Sequence, residues 1–131
     1  MKIKKNIMPL IEDRVYRFNA FRIWLRENTR LGERSIGDVI SRVKRVERAL
    51  PEMIGGSNLD AEYVRDGLSS VLEALTYSIE DAHNRRRPPT GIAFRMATDN
   101  PRYYDRVREG VSCLHTAVER YRDFCDAINP R

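Results

Sequence analysis

The C-terminal quarter of the chain carries an apolar pattern with the period of an α-helix. Between Asn100 and Ile128, apolar residues recur at alternating steps of three and four, which places them on one helical stripe. We predict Asn100 as the N-cap and Pro101 as the first helical residue, with Gly110 as the weak point of the helix. A stripe of this length needs other helices to cover it. Its residues are Tyr104, Val107, Val111, Leu114, Val118, Tyr121, Cys125 and Ile128.

Two earlier segments carry apolar stripes with the same period. The first helix is predicted from Leu10 or Glu12 to Asn28, and its apolar stripe consists of Val15, Phe18, Phe21, Trp24 and Leu25. Four basic residues are predicted to lie off this stripe: Arg14, Arg17, Arg22 and Arg26. The second helix is predicted to run to Leu50, with Ser35 as its N-cap and an acidic residue three positions later. The apolar face of this second helix consists of Ile36, Val39, Ile40, Val43, Val46 and Leu50.

The middle of the chain adds one long helix and one short segment with helical character. After a glycine-containing loop, Asp60 is predicted to cap a helix that runs to about His83. The segment Thr90–Thr98 could form a further short helix. We therefore expect an all-α fold: a bundle of four to five helices with a long C-terminal helix, in a single domain of residues 1–131. The apolar stripe of the third helix consists of Val64, Leu68, Val71, Leu72, Leu75 and Ile79.

Positive and negative charges are separated along the chain. Residues 1–51 carry 13 basic and 6 acidic side chains, residues 52–82 carry 1 and 7, and residues 83–108 carry 7 and 2. The whole chain has a net charge of +5. Two basic blocks around an acidic block favour an anionic partner such as nucleic acid. The alternative is that the acidic and basic blocks pair within the fold.

The basic residues of the second helix and of one loop are the candidate contacts to nucleic acid. Arg and Lys at such positions bind phosphate, although an ordinary solvated helix face and a solvated loop are the alternatives. The third helix is predicted to carry Glu62, Asp66, Glu73 and Glu80 on its outer face, so we expect this acidic 60–80 helix to lie away from phosphate or to dock on a protein partner. The candidate contacts are Arg34, Arg42, Lys44, Arg45 and Arg48 on the helix and Arg85, Arg86 and Arg87 in the loop.

Two arrangements in the sequence imitate catalytic or metal sites. Glu80 and His83 have the Glu-x-x-His spacing of di-iron bundles, but those sites need a second such motif and two further Glu residues. His83-Asn-Arg-Arg86, followed by His115 and Tyr121, imitates the catalytic set of tyrosine recombinases, but Tyr121 falls on the apolar stripe. We therefore expect a protein that is not an enzyme and that uses no metal and no cofactor.

The sequence predicts neither a membrane segment nor a disulfide. No apolar run approaches the roughly 18 residues of a spanning helix, and the basic N-terminus lacks the apolar run of a signal peptide, so we expect a cytoplasmic protein. Cys113 and Cys125 lie on the same predicted helix, about 18 Å apart along its axis, which is too far for a disulfide. Both are expected to be small core residues.

Part of the chain resembles the N-terminal core-binding domain of tyrosine recombinases and phage integrases. The resemblance covers residues 18–50 and 110–126, while the intervening segment 51–109 is longer than expected for that domain and acidic in its first half. It implies a helical module that clamps one face of duplex DNA through Arg and Lys on its helices. The residues that carry the resemblance are Phe21-x-x-Trp24-Leu25, Ser35-Ile36, Ser41-Arg42-Val43 and the stretch from Ser112 to Phe124.

Two functions follow as hypotheses from these observations. The first is a non-enzymatic helical DNA-binding module, from a phage or mobile element, that contacts the duplex backbone through basic helix residues. The second is a helical protein–protein interaction or regulatory module that has no nucleic-acid role and that could form a homodimer. In the second case, the acidic 60–80 helix of one copy would lie against basic residues of another.

Overall fold

The computed structural model describes residues 13–129, and every regular element in that range is an α-helix. This confirms the predicted all-α bundle with its long C-terminal helix. Between residues 13 and 129, no helix is long and apolar enough to cross a membrane. In chain order the helices are α1 (Arg14–Asn28), α2 (Glu33–Ile54), α3 (Leu59–Asp66), α4 (Ser69–Ala74), α5 (Ile79–His83) and α6 (Tyr103–Ile128).

Helix α6 is the centre of the described part of the fold and contacts each of the five helices α1 to α5. Its predicted stripe is buried from Val107 to Cys125, whereas Ile128 is 42% exposed at the helix end. The helix begins at Tyr103 instead of Pro101, because the side chain of Asn100 accepts a hydrogen bond from the backbone N–H of Arg102 (2.9 Å) and forms a turn there.

Helices α1 and α2 differ from their predicted limits and faces. Helix α1 begins at Arg14 with Asp13 as its N-cap, and the predicted start at Leu10 or Glu12 lies outside the described residues. Val15 was assigned to the core stripe and is 75% exposed. Helix α2 begins two residues before Ser35, with Gly32 as its N-cap, and it continues through Pro51 to Ile54. The prediction that Ser35 is the N-cap of this helix was therefore wrong.

The predicted helix from Asp60 to His83 is broken into three short helices. Gly67 and Leu68 both adopt the left-handed conformation, each with φ of 68°, and end α3 before α4 begins. A second break, from Leu75 to Ser78, separates α4 from α5. The two breaks shift the helical phase, so Val64 and Ile79 point outward, 65% and 73% exposed, instead of into the core. The predicted short helix at Thr90–Thr98 is also wrong, because this segment forms turns and irregular backbone.

An aromatic cluster joins α1 to α6 in the core. The rings of Phe21 and Tyr121 are 5.0 Å apart between centroids, and those of Phe21 and Phe124 are 5.2 Å apart. Trp24 is half-buried, with its ring 5.9 Å from that of Phe124. These aromatic residues serve the core, as their helical spacing predicts. The packing fixes the side of α1 that faces α6 and leaves the opposite side to solvent.

The two cysteines have different environments, although both are free thiols. Cys125 is fully buried in the core, as predicted. Cys113 is exposed, so its assignment to the core was wrong. Cys113 lies next to the buried stripe of α6, where it lines an open groove between α6 and α2.

Candidate nucleic-acid interface

The predicted DNA contacts on α2 occupy three different directions around the helix. At about 100° per residue, Arg34, Arg45 and Arg48 fall within about 60° of one another on the side opposite the buried stripe. Arg34 and Arg48 are exposed and Arg45 is half-buried. Arg34 lies about 16 Å from Arg45 along the helix axis. Only Arg45 and Arg48 of these three are therefore close neighbours.

The other two candidate residues on α2 lie at the margins of that face. Arg42 lines a groove between α2 and α6 together with Arg120 and the exposed Cys113. Lys44 lies on the opposite margin, toward α1, with its Nζ atom 5.7 Å from the ring centroid of Phe18. The five predicted helix contacts therefore do not form one continuous face.

Two adjacent depressions bring a different set of basic residues together. A groove of about 280 Å³ between α1 and α2 is lined by Arg22, Lys44 and Arg48, among others. A depression of about 550 Å³ between α2 and the loop before α6 is lined by Arg45, Arg48 and Arg95. Arg48 borders both. We name this group of five residues, Arg22, Lys44, Arg45, Arg48 and Arg95, the α2 basic surface.

The α2 basic surface lacks neutralising partners within the described part of the chain. None of its five cations has a carboxylate oxygen within 4.0 Å in the range 13–129. Glu47 also lines the groove, but its carboxylate is bound by Arg14 through two hydrogen bonds, of 2.5 and 3.0 Å. The surface can therefore present its positive charge to an external anion.

Sequence reasoning missed two of these five residues. Arg22 was placed off the apolar stripe of the first helix, and Arg95 fell inside a segment that was predicted as helical. Nothing in the local sequence indicates that either residue lies beside α2. Only the packing of α1 and of the loop against α2 brings them there.

A buried polar cluster surrounds Asp60, the most buried acidic residue between positions 13 and 129. The carboxylate of Asp60 is 4% exposed, and its oxygens lie 2.6 Å from Arg17 and 3.0 Å from Arg14. Tyr121 donates its hydroxyl hydrogen to the same carboxylate. Burial, the largest single effect, would lower the pKa of Arg17, but the attraction to Asp60 together with the nearby Tyr121 and Cys125 outweighs it, so this pKa is raised. Both Arg residues therefore stay charged and tie α1 to α3.

Tyr121 shares no catalytic geometry with the histidines that accompany it in the sequence. Its side chain is fully buried, and burial raises the pKa of its phenol, as does the nearby Asp60 carboxylate. The Nδ1 atom of His115 lies 3.2 Å from Glu119, and His83 is exposed. Burial of Tyr121 agrees with its predicted place on the apolar stripe. Among the described residues, no cluster of three or more His, Cys, Asp and Glu side chains could hold a metal ion.

Three further acidic residues of α3 and α5 are also engaged within the fold, whereas Glu80 of α5 is exposed. Glu62 is 6% exposed instead of lying on an outer face, and it accepts hydrogen bonds from Arg65 at 2.5 and 3.0 Å. Asp66 accepts a hydrogen bond of 2.5 Å from the hydroxyl of Ser70. Asp81 caps α5 and pairs with Arg86 at 2.7 Å.

The predicted basic loop, Arg85, Arg86 and Arg87, is exposed but only partly available to a ligand. Arg86 pairs with Asp81, and its carbonyl oxygen accepts a hydrogen bond of 2.6 Å from Tyr77. The guanidinium of Arg85 lies 6.0 Å from the ring centroid of Tyr104. No contact within the described residues joins this loop to the α2 basic surface. The structure therefore gives two separate groups of candidate contacts.

Comparisons of the chain with protein-family models, with curated proteins and with solved structures find no match. The resemblance to the core-binding domain of tyrosine recombinases therefore stays a prediction from the residues that carry it.

Proposed function

We propose that this protein binds the backbone of duplex DNA through the α2 basic surface and carries out no catalysis. The observation that carries the proposal is the unequal use of charge within the fold. Four acidic side chains of α3 and α5 have partners within the fold, while the five cations of the α2 basic surface have no carboxylate partner among the described residues.

A surface of this kind fits phosphate groups better than it fits bases. Four of its five cations are Arg, whose planar guanidinium forms paired hydrogen bonds with phosphate oxygens. Contacts to phosphate supply affinity and salt dependence but little sequence preference. The resemblance to a DNA-clamping helical module is the reason for preferring duplex DNA to other polyanions. Binding to DNA would also fit the cytoplasmic location that the sequence predicts.

The proposal is tested by reversing two charges on the surface. The variant Arg45→Glu with Arg48→Glu should reduce the affinity for a duplex at low salt by more than tenfold, because it removes two phosphate contacts and adds repulsion. Fluorescence anisotropy with a labelled duplex measures this effect. Circular dichroism should show an unchanged helical signal, because neither residue belongs to the hydrophobic core.

A matched double variant separates the surface from the net charge. Arg30→Glu with Arg122→Glu changes the charge of the protein by the same amount, at residues outside the α2 basic surface. We expect the affinity of this control for duplex DNA to lie within about threefold of that of the unchanged protein, because only the long-range electrostatic attraction is weakened. Equal losses for the two double variants would show that binding depends on overall charge, and the proposed surface would then be wrong.

One observation favours the alternative of a protein-interaction module. Val64 and Ile79 expose 65% and 73% of their surface on the acidic segment, where Glu73 and Glu80 are also exposed. Large apolar side chains that are exposed on an otherwise charged segment are one feature of protein contact sites. If the unchanged protein fails to bind duplex DNA and forms a dimer in light scattering that Val64→Ser disrupts, this alternative replaces the DNA proposal.

A further inference from the structure

The segment of residues 91–96, which we name the strap, lies across α2 just before the chain enters α6. Gly91 has φ of +86°, and a Cβ added there would lie 3.0 Å from the carbonyl oxygen of Ala49 and 3.1 Å from Cβ of Glu52. Glycine fits this position for two reasons: another residue would adopt the positive φ only with strain, and its Cβ would lie too close to atoms of α2. The strap backbone therefore rests directly on α2.

Phe94 anchors the strap to α6 at Gly110. A Cβ added at Gly110 would overlap atom Cε1 of Phe94, so the missing side chain provides the space for the ring. Glycine inside a helix costs about 1 kcal/mol relative to alanine, yet α6 continues without a break through this position. The contact with Phe94 gives this glycine a structural role that its position on the helix does not predict.

Arg45 lies over a face of the same ring. Its Cζ atom lies 5.0 Å from the ring centroid of Phe94, and its Nη2 atom donates a hydrogen bond to the carbonyl oxygen of Ala93. A guanidinium has five N–H donors, so this contact leaves donors for another acceptor. Stacking and one hydrogen bond fix the orientation of the guanidinium before any ligand arrives.

We propose that the strap and α2 together form one composite phosphate site, in which Arg45, Arg48 and Arg95 each contact a phosphodiester group of the duplex DNA backbone. This inference rests on the proposed function and names the place where the backbone docks. Arg95 comes from the strap and the other two residues come from α2, and all three line the same depression. Arg95 reaches the site only because Phe94, the preceding residue, is held against Gly110. Phe94 is thus a positioning residue for the phosphate contact.

The substitution Gly110→Ala tests this arrangement from a distance. The added methyl group should displace Phe94 and the strap, lower the affinity for the duplex about three- to tenfold and reduce the salt slope by about 0.9, the value for one lost phosphate. Trypsin should also cut after Arg95 faster than in the unchanged protein. Gly37→Ala is the matched control, because Gly37 also lies inside a helix and a Cβ there meets nothing within 4 Å.

A second variant tests whether the lower DNA affinity of Gly110→Ala arises from displacement of Arg95. Arg95→Gln removes the charge of an exposed side chain, so it tests the contact even if Gly110→Ala impairs folding. If the strap places Arg95 in this site, the affinity lost by Gly110→Ala combined with Arg95→Gln should be smaller than the sum of the two single losses, and the part that remains reflects the loosened Arg45. Additive losses, or unchanged binding in Arg95→Gln, would overturn the composite site.

The result also separates this inference from the proposed function. If the unchanged protein binds DNA and the Arg45→Glu, Arg48→Glu variant does not, while Gly110→Ala and Arg95→Gln bind normally, the surface is right and the composite site is wrong. If the unchanged protein shows no salt-dependent binding to duplex DNA, both are wrong.

Discussion

Asp60 carries a buried carboxylate that depends on charged and hydrogen-bonding partners from other helices. Its carboxylate is almost fully buried, is paired with two Arg residues from α1 and accepts a hydrogen bond from the hydroxyl of Tyr121 on α6. Removing water from a carboxylate is costly unless charged and hydrogen-bonding partners replace it. Asp60 is therefore the point at which α1, α3 and α6 depend on one another.

Replacing Asp60 with Asn should destabilise the protein strongly. Asn has nearly the same size but no charge, so Arg17 would stay buried at 2% exposure without its counter-ion. Breaking a buried ion pair in this way costs about 3–5 kcal/mol, and urea denaturation would measure the loss. Glu80→Gln, at an exposed position, should change the free energy of unfolding by less than about 0.5 kcal/mol. A loss below about 1 kcal/mol for Asp60→Asn would show that water reaches the cluster.

The sequence contains the residues of this cluster but no local sign that they meet. Helical periodicity placed Arg17 with the other Arg residues off the apolar stripe of α1, yet Arg17 is among the most buried side chains. An apolar stripe indicates which face of a helix is buried on average. It does not indicate whether a residue of that helix meets a charged partner on a distant segment. Tyr121 was placed correctly, because its burial follows from the spacing of α6 alone.

At the scale of helices, the break between α3 and α4 decides which side chains reach the core. Gly67 ends α3 in the left-handed conformation, which glycine adopts without steric cost, and Leu68 follows in the same conformation. A single uninterrupted period was assumed from Asp60 to His83, so Val64 and Ile79 were assigned to the core and are exposed. The glycine was visible in the sequence, but one glycine within a helical pattern is compatible with a continuous helix.

Gly67→Ala and Gly37→Ala should therefore have opposite effects on stability. At Gly67 the backbone has φ of +68°, which costs an alanine about 1 kcal/mol or more. At Gly37 the backbone is helical and the added methyl group meets nothing within 4 Å, so alanine should stabilise by up to about 1 kcal/mol. Urea midpoints compare the two variants directly. Stabilisation by both would mean that α3 and α4 can join into one helix.

At the scale of the whole molecule, the acidic and basic blocks of the sequence are used differently. Four acidic side chains of α3 and α5 are paired within the fold, whereas the α2 basic surface has no carboxylate partner among the described residues. The fold class and the long central helix α6 follow from apolar periodicity, which is a local property of the chain. The candidate site follows only in part: Lys44, Arg45 and Arg48 were predicted, whereas Arg22 and Arg95 join them through contacts between distant segments. Arg34 and Arg42 were predicted with them from the same helix, but the direction in which a side chain points separates them from that surface.

The salt dependence of duplex binding tests the central claim most directly. The α2 basic surface offers five cations, and each phosphate neutralised on B-form DNA contributes about −0.9 to the slope of log K against log salt. Fluorescence anisotropy between about 50 and 200 mM salt should therefore give a slope near −4 to −5. A slope close to zero, or no binding at the lowest salt, would contradict the claim that this surface binds the DNA backbone.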